Sequence, residues 1–233
     1  MAEETANYDE ALVPGYTLPE VLECQDGTPV REVAQWESRR RPEILRLFEQ
    51  VMYGKTEGLP EIARTTVESV DRGALGGQAT RKEVSLCFEG QGQKLCASLL
   101  IYLPAGCSQP VPTFVGLNFV GNHTVNADPG ITLATGWMPA WPGLGSVDHR
   151  ATDASRGMAS SRWPIERILG RGYGVATMYC GDFDPDFHDG VENGIHALFP
   201  RDDSDGSAWG TLSAWAWGLS RAMDYFELDP EID

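Results

Sequence analysis

The chain has 233 residues, of which 42% are hydrophobic and 22% charged, and its formal net charge is −16 at pH 7. This balance is that of an ordinary globular domain or a large part of one. The negative charge and the absence of any Lys/Arg-rich run argue against nucleic acid as a partner. No apolar run approaches the roughly 18 residues that span a membrane, so we expect no membrane association.

The first 34 residues are rich in Pro, Gly and acidic side chains, and they predict an extended N-terminal arm at 1–34. Apolar residues then recur at helical spacing from Trp36 to Met52, which predicts a helix over 36–53. Pro42 interrupts this pattern and would mark the true first turn, and Gly54 would end the helix. We expect the rest of the chain, 35–233, to form one partial domain.

Three strand-like runs follow at 63–70, 80–88 and 94–103, and a Gly-rich turn separates the last two. Folding this hairpin symmetrically about its turn matches apolar residues with apolar residues, which supports the register. The predicted pairs are Phe88 with Leu95, Leu86 with Ala97, and Val84 with Leu99.

The same register sets Cys87 opposite Cys96 on the other face of the hairpin. A cross-strand disulfide fits an oxidising compartment, and two reduced, partly buried thiols fit equally well. None of the five cysteines forms a CxxC motif, which argues against a zinc ribbon or a thioredoxin-like site.

The second half of the chain alternates strands with helices. An apolar run at 111–119 and another at 175–179 show little alternation, as is typical of central strands buried on both faces. The remaining predicted elements are a long loop at 120–160, a helix at 161–170 capped by Ser161, a loop at 181–207 and an amphipathic helix at 208–226.

An antiparallel start that leads into alternating strands and helices predicts an α/β fold of the α/β-hydrolase type, a three-layer sandwich with a largely parallel sheet. The helix at 208–226 needs a following strand to bury its apolar stripe. We therefore expect this chain to be the N-terminal part of such a domain, truncated before the strand and turn that carry the nucleophile.

The nucleophile of this fold sits in a Gly-x-Ser-x-Gly motif at a strand-to-helix turn, and the chain contains no such motif. The nearest match surrounds Ser220, which lacks the second Gly and lies inside the predicted helix, so we interpret it as an ordinary helical serine.

The loop after the first buried strand borders the site in this architecture and can donate an N–H to the oxyanion. We therefore name Asn118, Gly121, Asn122 and His123 as site-bordering residues. The alternative is a turn whose Asn side chains hold the backbone. Asn122-His123-Thr124 also fits the glycosylation pattern, which is common by chance.

Acidic and His residues cluster in the loop after the second buried strand, in a composition that resembles a metal site. They are Asp182, Asp184, Asp186, Asp189, His188 and His196. Their spacing fits neither an EF-hand nor a zinc pattern, so we predict a solvated acidic loop and no metal. Gly172-Tyr173-Gly174 precedes a strand and lacks a third Gly, which excludes a dinucleotide fingerprint.

Several segments, in a specific order, resemble a single family. They are Asn7–Glu10 with Tyr16–Pro19, Arg39–Leu45 through Tyr53–Gly54, Leu117–Phe119 with Gly121–Thr124, Arg156–Gly157 with Arg162–Pro164, Gly172–Thr177 with Tyr179 and Gly181–Asp182, and Trp209–Thr211 through Ala214–Gly218. Together they resemble the glucuronoyl esterases of carbohydrate esterase family 15, especially bacterial members.

The resemblance implies an enzyme that cleaves the ester between 4-O-methyl-glucuronic acid on xylan and an alcohol of lignin. It implies a Ser–His–Asp/Glu triad, a Gly-x-Ser-Arg-x-Gly-Lys elbow, and no metal or cofactor. We expect the elbow to begin a few residues after Asp233, with the acid and the His further on, so no catalytic residue falls within this chain. The expected partner is a glucuronoxylan or lignin–carbohydrate ester, and we expect a monomer.

Family members are usually exported, whereas no signal peptide is visible at the start of this sequence, so localisation stays open. The alternative function is that of a catalytically inactive fragment, or of a carbohydrate-binding module that uses the Trp residues of 137–163.

Overall fold

The computed structural model describes residues 7–56, 62–188, 193–199 and 207–233. The chain divides into two compact units, one ending at Phe48 and the other beginning at Glu49. Apart from a single turn, Ala74–Gly77, whose backbone is left-handed at Leu75 and Gly76, the α-helices in chain order are α1 (Val33–Gln35), α2 (Arg41–Phe48), α3 (Ile165–Leu169) and α4 (Thr211–Phe226). Among these residues no helix combines the length and apolar character needed to cross a bilayer.

In the first unit, the described part of the arm holds a short 3₁₀ turn, Glu10–Leu12, and an isolated bridge between Glu23 and Pro29. Buried Arg40 ties the arm down, because its guanidinium donates to the carbonyl oxygens of Val21 (2.9 Å) and Glu20 (3.2 Å). The boundary predicted at 34/35 stays a prediction.

The predicted helix over 36–53 is present, but Pro42 does not mark its first turn, which lies at Val33. A π-helical turn, Trp36–Arg40, precedes the proline, and a second, Glu49–Tyr53, opens the other unit. Proline lacks an N–H and clashes with the carbonyl four residues before it. A widened turn immediately upstream accommodates that clash without ending the helix.

The second unit contains one five-stranded sheet in the order β1-β2-β3-β5-β4. Its strands are β1 (Arg64–Gly73), β2 (Ala79–Gly90), β3 (Gln93–Pro104), β4 (Thr113–Asn118) and β5 (Gly174–Tyr179). Only the β4–β5 pairing is parallel, so the sheet is mixed and the expectation of a largely parallel sheet is wrong for the described strands.

The predicted hairpin register is confirmed at every pair named from the sequence. Phe88 faces Leu95, Leu86 faces Ala97, and Val84 faces Leu99. Cys87 faces Cys96, and the two sulfur atoms form a disulfide. The open choice between bonded and reduced thiols is therefore resolved in favour of the bond in this structure.

Cores on both faces of the sheet give the expected three layers. Leu99 and Ile101 of β3 pack into a core with the α4 residues Trp217 and Phe226. Their neighbours Leu100 and Tyr102 point the other way, into a core with Ile165 and Leu169 of α3. The alternation of side chains along β3 thus places one helix on each face.

Two predicted helix starts are wrong. Ser161 does not cap α3: it lies in a 3₁₀ turn, Ser160–Arg162, and the helix begins after Pro164. Proline disfavours helical backbone at the residue before it, which holds Trp163 outside the helix. The last helix begins at Thr211 and not at 208, because Ala208 forms a bridge with Lys55.

Candidate functional site

The parallel strands β4 and β5 end side by side, at Asn118 and Tyr179. In open α/β sheets, ligands bind beyond the carboxyl ends of the strands. The loops that begin at Phe119 and Cys180 therefore border the candidate site.

Three of the four site-bordering residues predicted from the sequence meet at the end of β4. The Asn118 Nδ2 atom lies 2.7 Å from Asn122 Oδ1 and 3.1 Å from the Thr177 hydroxyl. Gly121, between them, has φ of 92°, and a Cβ there would lie 2.7 Å from His123 Cε1. A side chain at this position would be strained in backbone conformation and would also collide with the imidazole.

His123 is fully buried, so it does not face the site. Its Nε2 atom lies 2.8 Å from Ser155 Oγ. Burial, with a smaller contribution from the positive charge of Arg156, lowers the pKa of His123 to about 4. The imidazole is therefore neutral at physiological pH.

The buried His123–Ser155 pair resembles part of a catalytic triad, but its hydrogen bonds run the wrong way. The Ser155 hydroxyl lies 2.6 Å from the carbonyl oxygen of Thr152, which can only accept, so the hydroxyl proton points there. The His123 Nε2 atom must then donate to Ser155 and cannot act as its base. Both side chains are fully buried, and the pair holds the loop together.

Asn122 is 5% exposed and donates from Nδ2 to the carbonyl oxygen of Ser98 at 2.8 Å. A glycan needs an accessible amide nitrogen, so the Asn122-His123-Thr124 triplet is not a glycosylation site in this fold.

Two cavities flank Phe119, which is 48% exposed. One, of about 490 Å³, lies between Phe119, Phe187 and Trp215. The other, of about 470 Å³, is lined by Asn118, the indoles of Trp141 and Trp163, and other residues of the long loop. Phe119 contacts Trp215 edge to face at 5.7 Å between ring centroids. The carboxyl ends of the parallel strands therefore carry a concave surface that combines aromatic and polar side chains.

The prediction of a solvated acidic loop is wrong for three of its members. Asp184 and His196 are buried, with 3.8 Å between Oδ2 and Nε2. Asp182 accepts the N–H of Ser98 at 3.0 Å, and burial raises its pKa to about 7, with that hydrogen bond opposing the shift. Asp186 and His188 are exposed, and Asp189 lies outside the described residues.

No group of three metal-ligating side chains is present in the described ranges 7–56, 62–188, 193–199 and 207–233. Ser220 is exposed within α4, and its hydroxyl accepts from Arg221, as expected of a helical serine. Gly218 beside it is needed for packing, since a Cβ there would lie 2.5 Å from the ring of Phe183. The glycine that precedes Ser220 in the partial motif is therefore explained by packing.

Sequence reasoning missed the aromatic residues Phe119, Phe187 and Trp215. Phe119 follows the end of β4, Phe187 lies in the loop after β5, and Trp215 lies in the second turn of α4. The sequence placed Trp215 in an amphipathic helix but gave no signal that these three side chains come together. Trp137, in the long loop, stacks on His149 at 5.0 Å and contacts Phe187 at 4.8 Å. The loop at 120–160 is thus ordered against the same edge of the sheet.

Comparison with known proteins relates the chain to carbohydrate esterases. No protein-family model matches it. The curated carbohydrate esterase MZ0003, from an unknown prokaryotic organism, is 47% identical over 231 residues, which cover 97% of this chain and 53% of that protein.

Solved structures agree. A promiscuous CE15 esterase from a marine bacterial metagenome superposes with a TM-score of 0.85 and 47% identity, over 97% of this chain and 57% of that one. A glucuronoyl esterase from Solibacter usitatus gives 0.85 and 43%, over 96% and 57%. The chain thus spans little more than half the length of these relatives. Over the half that it spans, the chain belongs to carbohydrate esterase family 15 and has the α/β-hydrolase fold of that family.

Proposed function

We propose that this chain is part of a serine carboxylic ester hydrolase that acts on glucuronic acid esters linking xylan to lignin. The supporting observation is its 47% identity with a carbohydrate esterase across 97% of the chain. Similarity to a glucuronoyl esterase, at a TM-score of 0.85, supports the substrate class.

The backbone hydrogen bonds along the edge of β4 that faces away from β5 support a position for the nucleophile. The Val111 N–H donates to Glu231, and its carbonyl accepts from Asp233, both at 3.0 Å, in a parallel bridge. Pro112 instead bonds across to β5, through Gly174. Alternate residues of a strand direct their backbone N–H and C=O groups toward the same edge. The backbone groups of Phe119 therefore face the edge at which Val111 bonds to Glu231 and Asp233.

We propose that this parallel ladder continues along β4. Val111 pairs with Ile232, and Phe119 lies eight residues after Val111. If the pairing continued residue for residue, the position about eight residues after Ile232 would lie opposite Phe119. That is where the strand-to-helix turn of the α/β-hydrolase plan carries its serine. The Phe119 N–H, which donates to no protein acceptor within the described residues, would then point toward the developing oxyanion.

The reaction would be acyl transfer to that serine, assisted by a His base, followed by hydrolysis of the acyl-enzyme. The residues of this chain would contribute the loop backbone at Phe119 and the aromatic walls of the two cavities. The walls exclude water and offer flat faces to a sugar ring or an aromatic alcohol.

Hydrolysis of benzyl glucuronate by the complete protein tests the proposal. We expect activity that is abolished when the elbow serine is replaced by alanine, and no activity from the 233-residue chain by itself. The gene sequence beyond codon 233 provides an independent check, since it should encode Gly-x-Ser-Arg-x-Gly within about ten residues. A stop codon there, or an inactive protein with an intact triad, would refute the proposal.

A further inference from the structure

The pairing of β3 with its neighbour β5 stops before either strand ends. The β3–β5 ladder runs from Tyr102 paired with Val175 to Leu99 paired with Met178. Ser98 is the next residue of β3, and no β5 residue pairs with it. A backbone N–H and C=O left at such a position need other partners.

Two side chains from the site-bordering loops supply the hydrogen-bond partners that β5 does not give to Ser98. The Ser98 N–H donates to the Asp182 carboxylate at 3.0 Å, and the Ser98 carbonyl accepts from Asn122 Nδ2 at 2.8 Å. Asp182 follows the end of β5, and Asn122 follows the end of β4. Each loop is thereby tied to β3 by one hydrogen bond.

Asn122 also closes its own loop. Its Oδ1 atom accepts from Asn118 Nδ2 at 2.7 Å, and the same Nδ2 donates to Thr177 Oγ1 of β5 at 3.1 Å. Only Phe119, Val120 and Gly121 lie between the two bonded asparagines. This three-residue segment is therefore clamped at both ends by buried side chains.

We infer that Asn122 is a positioning residue: by bridging Asn118 and Ser98 it fixes the backbone of Phe119–Gly121 where that segment borders the reaction. Asp182 supports the same arrangement from the β5 side. The inference deepens the proposed function and rests on it for its catalytic consequence, whereas its structural part concerns only the described residues.

The neighbouring Asn126 offers a matched control. Asn126 is 8% exposed and Asn122 5%, and each side chain makes one bond as donor and one as acceptor. Asn126 donates to Glu166 at 3.2 Å and accepts from the N–H of Asp128 at 2.9 Å, away from the strand ends. Asn122→Ala and Asn126→Ala therefore remove the same chemistry at similar burial.

Kinetics of the complete protein on benzyl glucuronate separate positioning from stability. We expect Asn122→Ala to lower kcat by about 10- to 100-fold with KM changed less than about threefold, because misplacing a group by about 1 Å costs up to about 100-fold. Asn126→Ala should keep kcat within about twofold. Equal losses of kcat in the two variants, at equal loss of Tm, would overturn the inference.

Amide hydrogen exchange gives a readout that does not need activity. The Thr124 N–H donates to the carbonyl oxygen of Gly121, at the end of the clamped segment, at 3.0 Å. Asn122→Ala should accelerate exchange at Thr124 about tenfold or more, and Asn126→Ala should leave that amide unchanged. Asn122→Asp, which keeps the acceptor for Asn118 and loses the donor to Ser98, should fall between the two and serves if the alanine variant does not fold.

If the wild-type protein proves inactive, the proposed function fails and the exchange comparison still decides the inference. Unchanged exchange at Thr124 in both Asn122 variants would overturn it.

Discussion

Replacement of Lys82 by Met should strongly destabilise the protein, because the change leaves a buried carboxylate without its cation. The Lys82 Nζ atom lies 2.8 and 2.7 Å from the two oxygens of Asp229 and 2.6 Å from Glu231. The side chains of Lys82 and Asp229 are only 7% and 3% exposed. Breaking a buried pair from one side typically costs about 3–5 kcal/mol, and we expect a loss in this range at pH 7.

The loss of stability that Lys82→Met causes should be smaller at low pH. Burial acts to raise the pKa of Asp229, but its hydrogen bonds, above all that from Lys82, lower the pKa below the usual range. Asp229 therefore stabilises the wild-type protein above the unfolded pKa, and this contribution is lost as the pH falls. Without Lys82 the pKa of the Asp229 carboxyl rises. Protonation near pH 4 then removes the unpaired charge from the variant, whereas in the wild type it breaks the ion pair and lowers the stability.

Two companion variants make the measurement decisive. Arg72→Met breaks the exposed Arg72–Glu231 pair (69% and 39% exposed) and should cost at most about 1 kcal/mol. Lys82→Met with Asp229→Asn removes the buried charge, yet residue 229 still accepts from Tyr225, so stability should recover to within about 2 kcal/mol of wild type.

Urea unfolding followed by both fluorescence and far-UV circular dichroism measures these differences, provided that the two transitions coincide. A Lys82→Met variant as stable as Arg72→Met would refute the reasoning, since the pair would then be solvated.

Other predictions concern the disulfide, the buried imidazole of His123 and the helical residues Ser220 and Gly218. The denatured, unreduced protein should titrate three free thiols, and reduction of Cys87–Cys96 should cost about 2–3 kcal/mol; five thiols would contradict the bond. His123 should titrate near pH 4 by NMR, and a midpoint near 6.5 would contradict this. Because the unfolded chain takes up the proton first, the free energy of unfolding should fall by up to about 3 kcal/mol as the pH is lowered from 6.5 to 4. Ser220→Ala should change stability by less than about 0.5 kcal/mol and leave ester hydrolysis intact, whereas Gly218→Ala should cost about 1–3 kcal/mol in thermal unfolding.

The sheet could be predicted where the information was local. Matching apolar faces placed Val84 against Leu99 because a one-residue slip would turn every side chain of the hairpin to the wrong face. The start of α3 could not be placed so well, because the restriction that Pro164 imposes on Trp163 outweighed the capping preference of Ser161.

The position of the loop after β4 could be predicted, but not its contacts. The strand order predicted that Asn118, Gly121 and Asn122 lie together at the carboxyl end of β4, as the structure shows; that they border a functional site stays a prediction. The sequence did not show that Asn122 and Asp182 would complete the backbone pairing of Ser98, because that depends on where the pairing between β3 and β5 stops. Asp182 was interpreted as solvated for the same reason.

The buried ion pair also separates two stages in the assembly of the sheet. The cysteines of the hairpin are 9 residues apart, whereas Lys82 and Asp229 are 147 apart. A hairpin closes in about 1–10 μs, but at about 5–20 residues per second the ribosome needs roughly 7 to 30 s to add the residues between Lys82 and its partner. The hairpin register is therefore set while Lys82 is still hydrated. Lys82 can pair with Asp229 and lose its hydration only after the segment following α4 has been synthesised.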